Sequence, residues 1–268
     1  GNFLQRGLPA VCNKFMRAEM AVASGVDAVF ELPVVYATAS AKDFAYAGVD
    51  LLNKLNTVDY LVFGAECDDL ALLESVAEIL IDEPASFSAC LKKNLSEGMS
   101  YPSARADAIK SCCPAGADLL KEPNNILAVE YLSALKKTHS SIKPYVIKRI
   151  STGYNSNDIT GSICSASAIR HLLQETCPTH ITESDALFKT FYQVLPTASA
   201  DLLKTDYLHT YPIFEDHLTS ILQYCLIMQN DAPDTVDMTE ELYNKLKKTK
   251  LLQSYAAIAE SLKSKDLT

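Results

Sequence analysis

The fold is decided early in the chain, where two short apolar runs flank a helix-patterned stretch. The runs are residues 26–32 (VDAVFEL), followed by Pro33, and residues 60–63 (YLVF), followed by Gly64, and the stretch between them covers residues 40–55. Apolar runs of this length with turn residues behind them are typical of buried strands. Two such strands joined by a helix form a βαβ unit, so the sequence predicts an α/β fold with a parallel sheet.

The rest of the chain divides into two parts around this unit. Before it, residues 11–24 carry a helical pattern ended by Gly25, and after it residues 145–150 (YVIKRI) predict a third strand. Helical patterns fill residues 69–82, 86–96, 102–112 and 123–137, a further helix begins at Ser165, and five more follow at 182–194, 198–208, 212–228, 239–248 and 251–264. We therefore predict an α/β domain at residues 1–177 and an all-helical domain at residues 178–268.

Composition limits the class of protein. The chain has 268 residues, 48% of them hydrophobic, and a formal net charge of −9 with a pI near 5.1. This length and hydrophobicity exclude a disordered chain, and the negative charge argues against a nucleic-acid surface covering a whole domain, so any RNA contact has to be local. The eight cysteines form no CxxC pair, which predicts reduced thiols in a cytoplasmic protein.

Two further kinds of site are not expected. The five histidines show neither HxxxH nor HExxH spacing, so we predict no metal site of the protein's own. The sequence has no apolar run of the roughly 18 residues that a membrane span needs, so we expect no membrane partner. GxSxG, GxxxxGKS and GxGxxG motifs are also absent, and no residue is evident as a nucleophile or general base.

Two segments could hold a ligand at the end of the sheet. Residues 63–66 (FGAE) end a predicted strand, and a glycine there lets the backbone approach a base or a phosphate, although it also suits a plain strand-to-helix turn. Asn124 and Asn125 follow Pro123 at a helix start. An asparagine there either caps the helix or turns its amide towards a ligand, and two in a row leave room for both.

A third candidate combines a strand end with a helix start. Lys148 and Arg149 end the third strand, and Ser165, Ser167 and Arg170 open the next helix, an arrangement suited to phosphate or equally to an ordinary serine cap with a solvated arginine. Residues 131–157 hold five basic residues and no acidic one, and the first 18 residues are also free of carboxylates. Such zones in an acidic protein favour an anionic ligand.

Several motifs taken together resemble one family. They are GNFLQRGLPA at 1–10, KFMRAEMAVASGVDAVFELP at 14–33, FGAE at 63–66, PNNILAVEYLSAL at 123–135, KRIS at 148–151 and SASAIR at 165–170. Their order and spacing resemble the bacterial tRNA(Met) cytidine acetate ligases, relatives of the HIGH-type nucleotidyltransferases, over essentially the whole chain. The resemblance implies a Rossmann-like nucleotidyltransferase sheet flanked by helices and followed by helices alone.

The resemblance also implies an activity and a set of site residues. Members of this family activate acetate with ATP, with Mg²⁺ expected as its companion, and acetylate N4 of the wobble cytidine of elongator tRNA(Met). Their nucleotide contacts match Gly64, Asn124, Arg149 and Ile150. The phosphate-holding position of the wider group falls on Ser165, Ser167 and Arg170. Ala65 departs from the family, in which a serine is common at this position.

The ends of the chain depart further from the family. The HxGH-containing segment that precedes GNF in family members is absent, which leaves the catalytic residues unknown, and the resemblance stops at KSKDLT before an arginine-rich stretch. We therefore expect an incomplete and inactive portion of an acetate ligase. Two alternatives remain open: a catalytically inactive tRNA-binding or scaffold module, and a different adenylyl transferase that releases pyrophosphate without tRNA or acetate.

Overall fold

The computed structural model describes residues 1–150, 163–176, 184–228, 238–249 and 253–262. Thirteen helices lie in these ranges, and their bounds are α1 Lys14–Ala23, α2 Val34–Ala37, α3 Ala41–Leu55, α4 Leu70–Asp82, α5 Ala85–Ser96, α6 Tyr101–Cys112, α7 Pro123–Lys137, α8 Ala166–Thr176, α9 Ser184–Val194, α10 Thr197–Asp206, α11 Thr219–Met228, α12 Glu240–Lys247 and α13 Tyr255–Leu262. The sheet of the described residues has two strands, β1 Tyr60–Ala65 and β2 Lys143–Lys148.

Most predicted helices are confirmed closely because their ends are set by local chemistry, but the stretch predicted as one helix at 212–228 is a 3-10 turn at Glu215–Leu218 followed by α11. The Ser40 side chain accepts a hydrogen bond from the Asp43 amide at the start of α3, and the Asp69 side chain accepts one from the Leu72 amide at the start of α4. Helices α3 and α4 then end at residues with left-handed backbones, Asn56 at φ 53° and Glu83 at φ 43°. Caps and stops of this kind can be found in the sequence without knowledge of the tertiary fold.

The parallel sheet forms from strands β1 and β2, with Tyr60 opposite Lys143 and Ala65 opposite Lys148. The helices α4 to α7 make the crossover between the two strands. On one face of β1, Phe63 and Ala65 are buried against α4 and α7 in the first hydrophobic core. Because the strands are parallel, their carboxyl ends meet at one edge, which positions the residues after Ala65 beside those after Lys148.

The prediction of a strand at residues 26–32 is wrong, since these residues form no β-ladder with any segment in the described ranges. Val26, Val29 and Phe30 are each about half exposed, at 46%, 47% and 54%. A strand needs a hydrogen-bonding partner as well as an apolar run, and the run alone cannot reveal whether the partner exists. The βαβ prediction was therefore right about the parallel sheet but wrong about which strands pair.

A second hydrophobic core lies among the later helices. Its buried residues include Leu173, Leu187, Phe191 and Leu203, and it also takes in Cys12 and Met16 from the start of the chain. Helix α1 accordingly packs on α10. The predicted domain boundary at residue 177 falls outside the described residues, so the division into residues 1–177 and 178–268 stays a prediction.

Candidate functional site

Four of the predicted site residues lie where the carboxyl ends of β1 and β2 meet. We call this place the carboxyl edge, and its residues are Gly64, Asn124, Arg149 and Ile150. Gly64 is the last but one residue of β1, and Arg149 and Ile150 follow β2 directly. The Arg149 amide donates to the Ala65 carbonyl at 2.8 Å, which extends the ladder by one residue and fixes the two strand ends against each other. The parallel pairing therefore brings together residues that are more than 80 positions apart in sequence.

Glu66 joins this edge to helix α7. Its two carboxylate oxygens accept from the Asn124 side-chain amide at 2.5 Å and from the Asn125 backbone N–H at 2.9 Å. In return, the Asn125 side-chain oxygen accepts from the Cys67 backbone N–H at 2.9 Å. A carboxylate at a helix N-terminus satisfies a free N–H and is favoured by the helix dipole. Glu66 thus ties the end of β1 to the start of α7.

The two asparagines divide the roles that the sequence left open. Asn125 is buried, and its side chain holds the strand end rather than capping its own helix. Asn124 turns its NH₂ group to Glu66, because a carboxylate only accepts hydrogen bonds. The Asn124 Oδ1 then faces away and has no hydrogen-bond partner in the described part of the chain. The sequence favoured an asparagine as the N-terminal cap of α7, but the acceptor for the Asn125 N–H is the Glu66 carboxylate.

Arg149 presents a free cation at the same edge. A Cβ added to Gly64 would lie 3.3 Å from the Arg149 Cγ, so the arginine stem crosses directly over the glycine. Arg149 is exposed, and no hydrogen bond or ion pair engages its guanidinium within the ranges that the structure covers. Gly64 leaves space for this stem, and a larger side chain would push it away. The absence of a Cβ therefore serves the close approach of Arg149 rather than a turn.

Neighbouring basic residues are already paired. Lys148 lies 3.1 Å from Asp68, and its hydrogen bond holds the pKa of that carboxyl below its usual value. Lys136 forms an ion pair with Glu78, and the Lys143 ammonium lies over the Tyr60 ring. The acid-free zone in the sequence is thus partly neutralised by carboxylates from other segments. Arg149, in contrast, has no ion-pair partner among the residues that the structure describes.

The predicted phosphate residues Ser165, Ser167 and Arg170 lie at the start of α8. The Ser165 hydroxyl accepts from the Ala168 amide at 3.0 Å, which is the ordinary serine cap that the sequence allowed. Ser167 is exposed. Among the residues described, no hydrogen bond or ion pair connects these three with Gly64, Asn124 or Arg149.

Arg170 is not solvated, in contrast to the alternative weighed from sequence. Its guanidinium lies 2.8 Å from a Glu215 carboxylate oxygen, donates to the Pro9 carbonyl at 3.2 Å and sits 5.5 Å from the Phe214 ring centre. Both members of the ion pair are mostly buried. Arg170 therefore links α8 to the chain start and to the segment before α11, and any phosphate contact would have to compete with Glu215.

The site also contains a residue whose role sequence reasoning missed. Glu66 was part of the FGAE segment, but nothing local showed that its carboxylate would reach the start of α7, 58 residues later. The usable signal was the combination of an acidic residue after one strand and a helix start that needs an acceptor. Across the described ranges, no cluster of three or more His, Cys, Asp or Glu side chains could hold a metal ion, and no helix is long and apolar enough to cross a membrane.

A parallel ladder whose carboxyl ends meet at one edge, with helices packed against it, defines an α/β class of fold. The chain belongs to the HIGH nucleotidyl transferase family, whose model matches residues 1–268. The predicted fold class, a Rossmann-like parallel sheet flanked by helices and followed by helices, is confirmed.

Among characterised proteins, the chain is similar to tRNA(Met) cytidine acetate ligases, which confirms the resemblance seen in the sequence. It is 43% identical to that of Acetivibrio thermocellus over 206 residues, covering 76% of this chain and 48% of the relative. It is 35% identical to that of Clostridium novyi over 270 residues, covering 99% and 65%. The chain therefore spans about half to two thirds of the length of these relatives.

The solved structures agree with this similarity. The crystal structure of Thermotoga maritima TmcAL in its apo form superposes with a TM-score of 0.86 at 31% identity, covering all of this chain and 63% of that one. A second crystal form of the same protein, bound with alpha-thio ATP, superposes with a TM-score of 0.84.

Proposed function

We propose that this protein is an ATP-dependent acetate ligase that acetylates N4 of the wobble cytidine of elongator tRNA(Met). The observation that carries the proposal is the carboxyl edge, where the free Arg149 guanidinium crosses over Gly64 and the Asn124 oxygen lacks a partner in the described chain. Support comes from relatives named as tRNA(Met) cytidine acetate ligases and from a similar protein solved with an ATP analogue.

Each residue of the edge has a proposed part in holding ATP. Gly64 leaves room for the Arg149 stem to cross β1, and Asn124 accepts a hydrogen bond from the nucleotide through its Oδ1. Arg149 donates charge-assisted hydrogen bonds to the nucleotide. Ile150 is 74% exposed and offers an apolar surface beside Arg149 on which an adenine ring can rest. Glu66 is proposed as a positioning residue, because its carboxylate holds the Asn124 side-chain amide.

The proposed reaction has two steps. A carboxylate oxygen of acetate attacks the α-phosphorus of ATP, the bond to the β-phosphate oxygen breaks, and pyrophosphate leaves with that electron pair. The cytidine N4 amine then attacks the acetyl carbonyl, the carbonyl–phosphate bond breaks, AMP leaves, and N4 loses one proton. Acetate is a poor acyl donor until AMP becomes its leaving group, so the first step makes the second feasible.

Ser165, Ser167 and Arg170 are proposed as a weaker phosphate site. Their position at the start of α8 suits an anion, but Arg170 would have to exchange Glu215 for phosphate. Mg²⁺ is proposed to arrive with the triphosphate, since Mg²⁺ is commonly bound through substrate phosphates and one or two carboxylates. Such a site does not need a preformed cluster of protein ligands.

The remaining parts of the proposal concern partners and location. Elongator tRNA(Met) and acetate are the proposed substrates, and the cytoplasm is the proposed compartment because tRNA and reduced cysteines belong there. The relatives give no support to the expectation that these 268 residues alone are inactive, so activity has to be measured directly.

Two assays on the 268-residue chain test the function. Pyrophosphate release from ATP should depend on added acetate, and radiolabelled acetate should appear in tRNA(Met) and disappear when the wobble cytidine is replaced by uridine. A Gly64→Val variant should lose both activities. Pyrophosphate release that does not need acetate or tRNA would favour the other adenylyl transferase, and tRNA binding without any ATP binding would favour the scaffold module.

A further inference from the structure

A cavity lies away from the carboxyl edge, between α7 and the helices α3, α4, α5 and α6. Its volume is about 370 Å³, and its wall includes Lys42, Phe87, Arg105, Glu130, Ser133 and Lys137. On α7, the residues Glu130, Ser133 and Lys137 share one face because they are three and four positions apart. Ser133 is nine residues beyond Asn124, which places it roughly 13 Å further along the helix. None of Gly64, Asn124, Arg149 and Ile150 lines the cavity.

The strongest indication of a ligand is the Ser133 hydroxyl. Ser133 is 5% exposed, and its Oγ is buried without a hydrogen-bond partner in the part of the chain that the structure describes. A buried hydroxyl without a partner is unfavourable, and native proteins leave few such groups unsatisfied. An alanine would fill the same space on α7 without this cost, so the hydroxyl points to a group that enters the cavity.

The charges of the wall select the kind of ligand. The Arg105 Nη2 and the Glu130 Oε1 lie 2.8 Å apart, and both side chains are mostly buried. Their opposite charges therefore largely compensate each other. Lys42 and Lys137 also line the cavity, and neither has a carboxylate within 4 Å among the residues described. The one further carboxylate of the wall is Glu83. The wall thus carries three basic and two acidic side chains in a protein of net charge −9.

Apolar side chains form the smaller part of the wall. Phe87 is 1% exposed, and Leu80 and Ile126 stand beside it in the lining. A cavity of more than roughly 300 Å³ that combines apolar side chains with convergent polar groups is large enough for a small organic molecule. A bare inorganic ion would leave the apolar part of the wall, at Leu80 and Ile126, without contacts.

We propose that this cavity binds a small organic anion, whose carboxylate or phosphate group meets Lys42, Lys137 and the Ser133 hydroxyl. The apolar or aromatic body of the same molecule packs against Phe87 and Ile126. The Arg105–Glu130 pair holds α6 against α7 and keeps the Glu130 charge from repelling the ligand. The site acts alongside the carboxyl edge and shares none of its residues.

Calorimetric titration of the 268-residue chain tests this site with three probes: phenyl phosphate, benzoate and inorganic phosphate. Phenyl phosphate or benzoate should bind saturably, and more tightly than inorganic phosphate because each carries a ring; the better of the two identifies the anionic group. Lys137→Met should weaken that binding by about ten-fold or more. The matched control is Lys136→Met on the same helix, which removes a lysine paired with Glu78 outside the cavity and should leave the affinity unchanged.

Two further variants distinguish this cavity from the carboxyl edge and from a purely structural role of Ser133. Ser133→Ala should weaken the binding of the anion. The melting temperature of the ligand-free variant should equal or exceed that of the wild type, because an unsatisfied hydroxyl is removed. Arg149→Ala should bind the anion like the wild type. No saturable binding, loss of binding in Arg149→Ala instead of Lys137→Met, or a lower melting temperature of Ser133→Ala with unchanged affinity would each overturn the proposal.

Discussion

The carboxyl edge of the sheet and the start of α8 each present an arginine where a strand or helix terminus favours an anion, yet their surroundings differ. Arg149 crosses over Gly64 with its guanidinium unengaged by the described residues, whereas Arg170 is held by Glu215, the Pro9 carbonyl and the Phe214 ring. The first arginine is available to a ligand and the second is used by the fold. Two similar sequence signals therefore lead to different roles.

The difference follows from what packs around each terminus. The carboxyl edge is formed by strand ends, and its polar groups are organised by one carboxylate, Glu66, which leaves the Asn124 oxygen and Arg149 free to act. The start of α8 lies against the second core and the chain start, so its charge has to be compensated internally. Burial, rather than residue type, distinguishes the two arginines.

The largest expected effect is a loss of stability in the second hydrophobic core, against which α8 and its Arg170 are packed. Phe191 is fully buried in the second core and packs edge-on against Phe188. Phe191→Ala should lower the free energy of unfolding by about 3–5 kcal/mol through lost burial and the cavity it leaves. Urea denaturation followed by circular dichroism measures this change. A loss below about 1 kcal/mol would show that the second core does not support α8 as described.

The next effect concerns Arg170 itself. Arg170→Ala removes a mostly buried ion pair and leaves the Glu215 carboxylate without its partner, so the free energy of unfolding should fall by about 2–3 kcal/mol. Lys148→Ala is the matched control, since Lys148 also pairs with a carboxylate but both side chains are more than half exposed. Equal melting temperatures of the two variants would contradict the structural role of Arg170.

A smaller effect is expected at Glu66. Glu66→Gln keeps the size of the side chain but replaces one acceptor oxygen by an NH₂ group and removes the charge at the start of α7. The free energy of unfolding should fall by about 1 kcal/mol, and ATP affinity should fall as Asn124 loses its fixed orientation. Glu78→Gln, on an exposed ion pair, serves as the control. Unchanged ATP affinity in Glu66→Gln would remove the positioning role.

The smallest effect is a difference in thiol reactivity. Burial raises the pKa of the Cys12 thiol in the second core, so little thiolate is present there at neutral pH. Cys225 on α11 is exposed. A thiol reagent should therefore modify Cys225 quickly, and it should modify Cys12 only at the rate at which the second core opens. Equal rates at the two residues would show that Cys12 is not protected.

The helices and the two strand ends were predictable from sequence because they depend on local signals. Helix α7, predicted at residues 123–137, is observed as Pro123–Lys137, and the two strand ends that carry Gly64 and Arg149 were identified from apolar runs. The pairing of those strands was not predictable, since residues 26–32 have the same apolar character but no partner in the described ranges.

Long-range polar contacts were equally hidden from sequence. The Arg170–Glu215 pair joins residues 45 positions apart, and Glu66 reaches α7 across 58 residues. From the sequence alone, the side chains of Arg170 and Glu66 could each have been exposed to solvent or bound to a ligand. A sequence gives the residue type and the local turn, but the partner depends on how helices and strands assemble.

ATP titration into the wild type, Arg149→Ala and Arg170→Ala, each checked for folding at the same temperature, tests the central claim most directly. Loss of a charge-assisted hydrogen bond of about 1.5–3 kcal/mol should weaken the affinity of Arg149→Ala roughly 10-fold to 150-fold, with its melting temperature unchanged. Folded Arg170→Ala should lose less affinity than Arg149→Ala. An unchanged affinity in Arg149→Ala, or a larger loss in Arg170→Ala, would contradict the account.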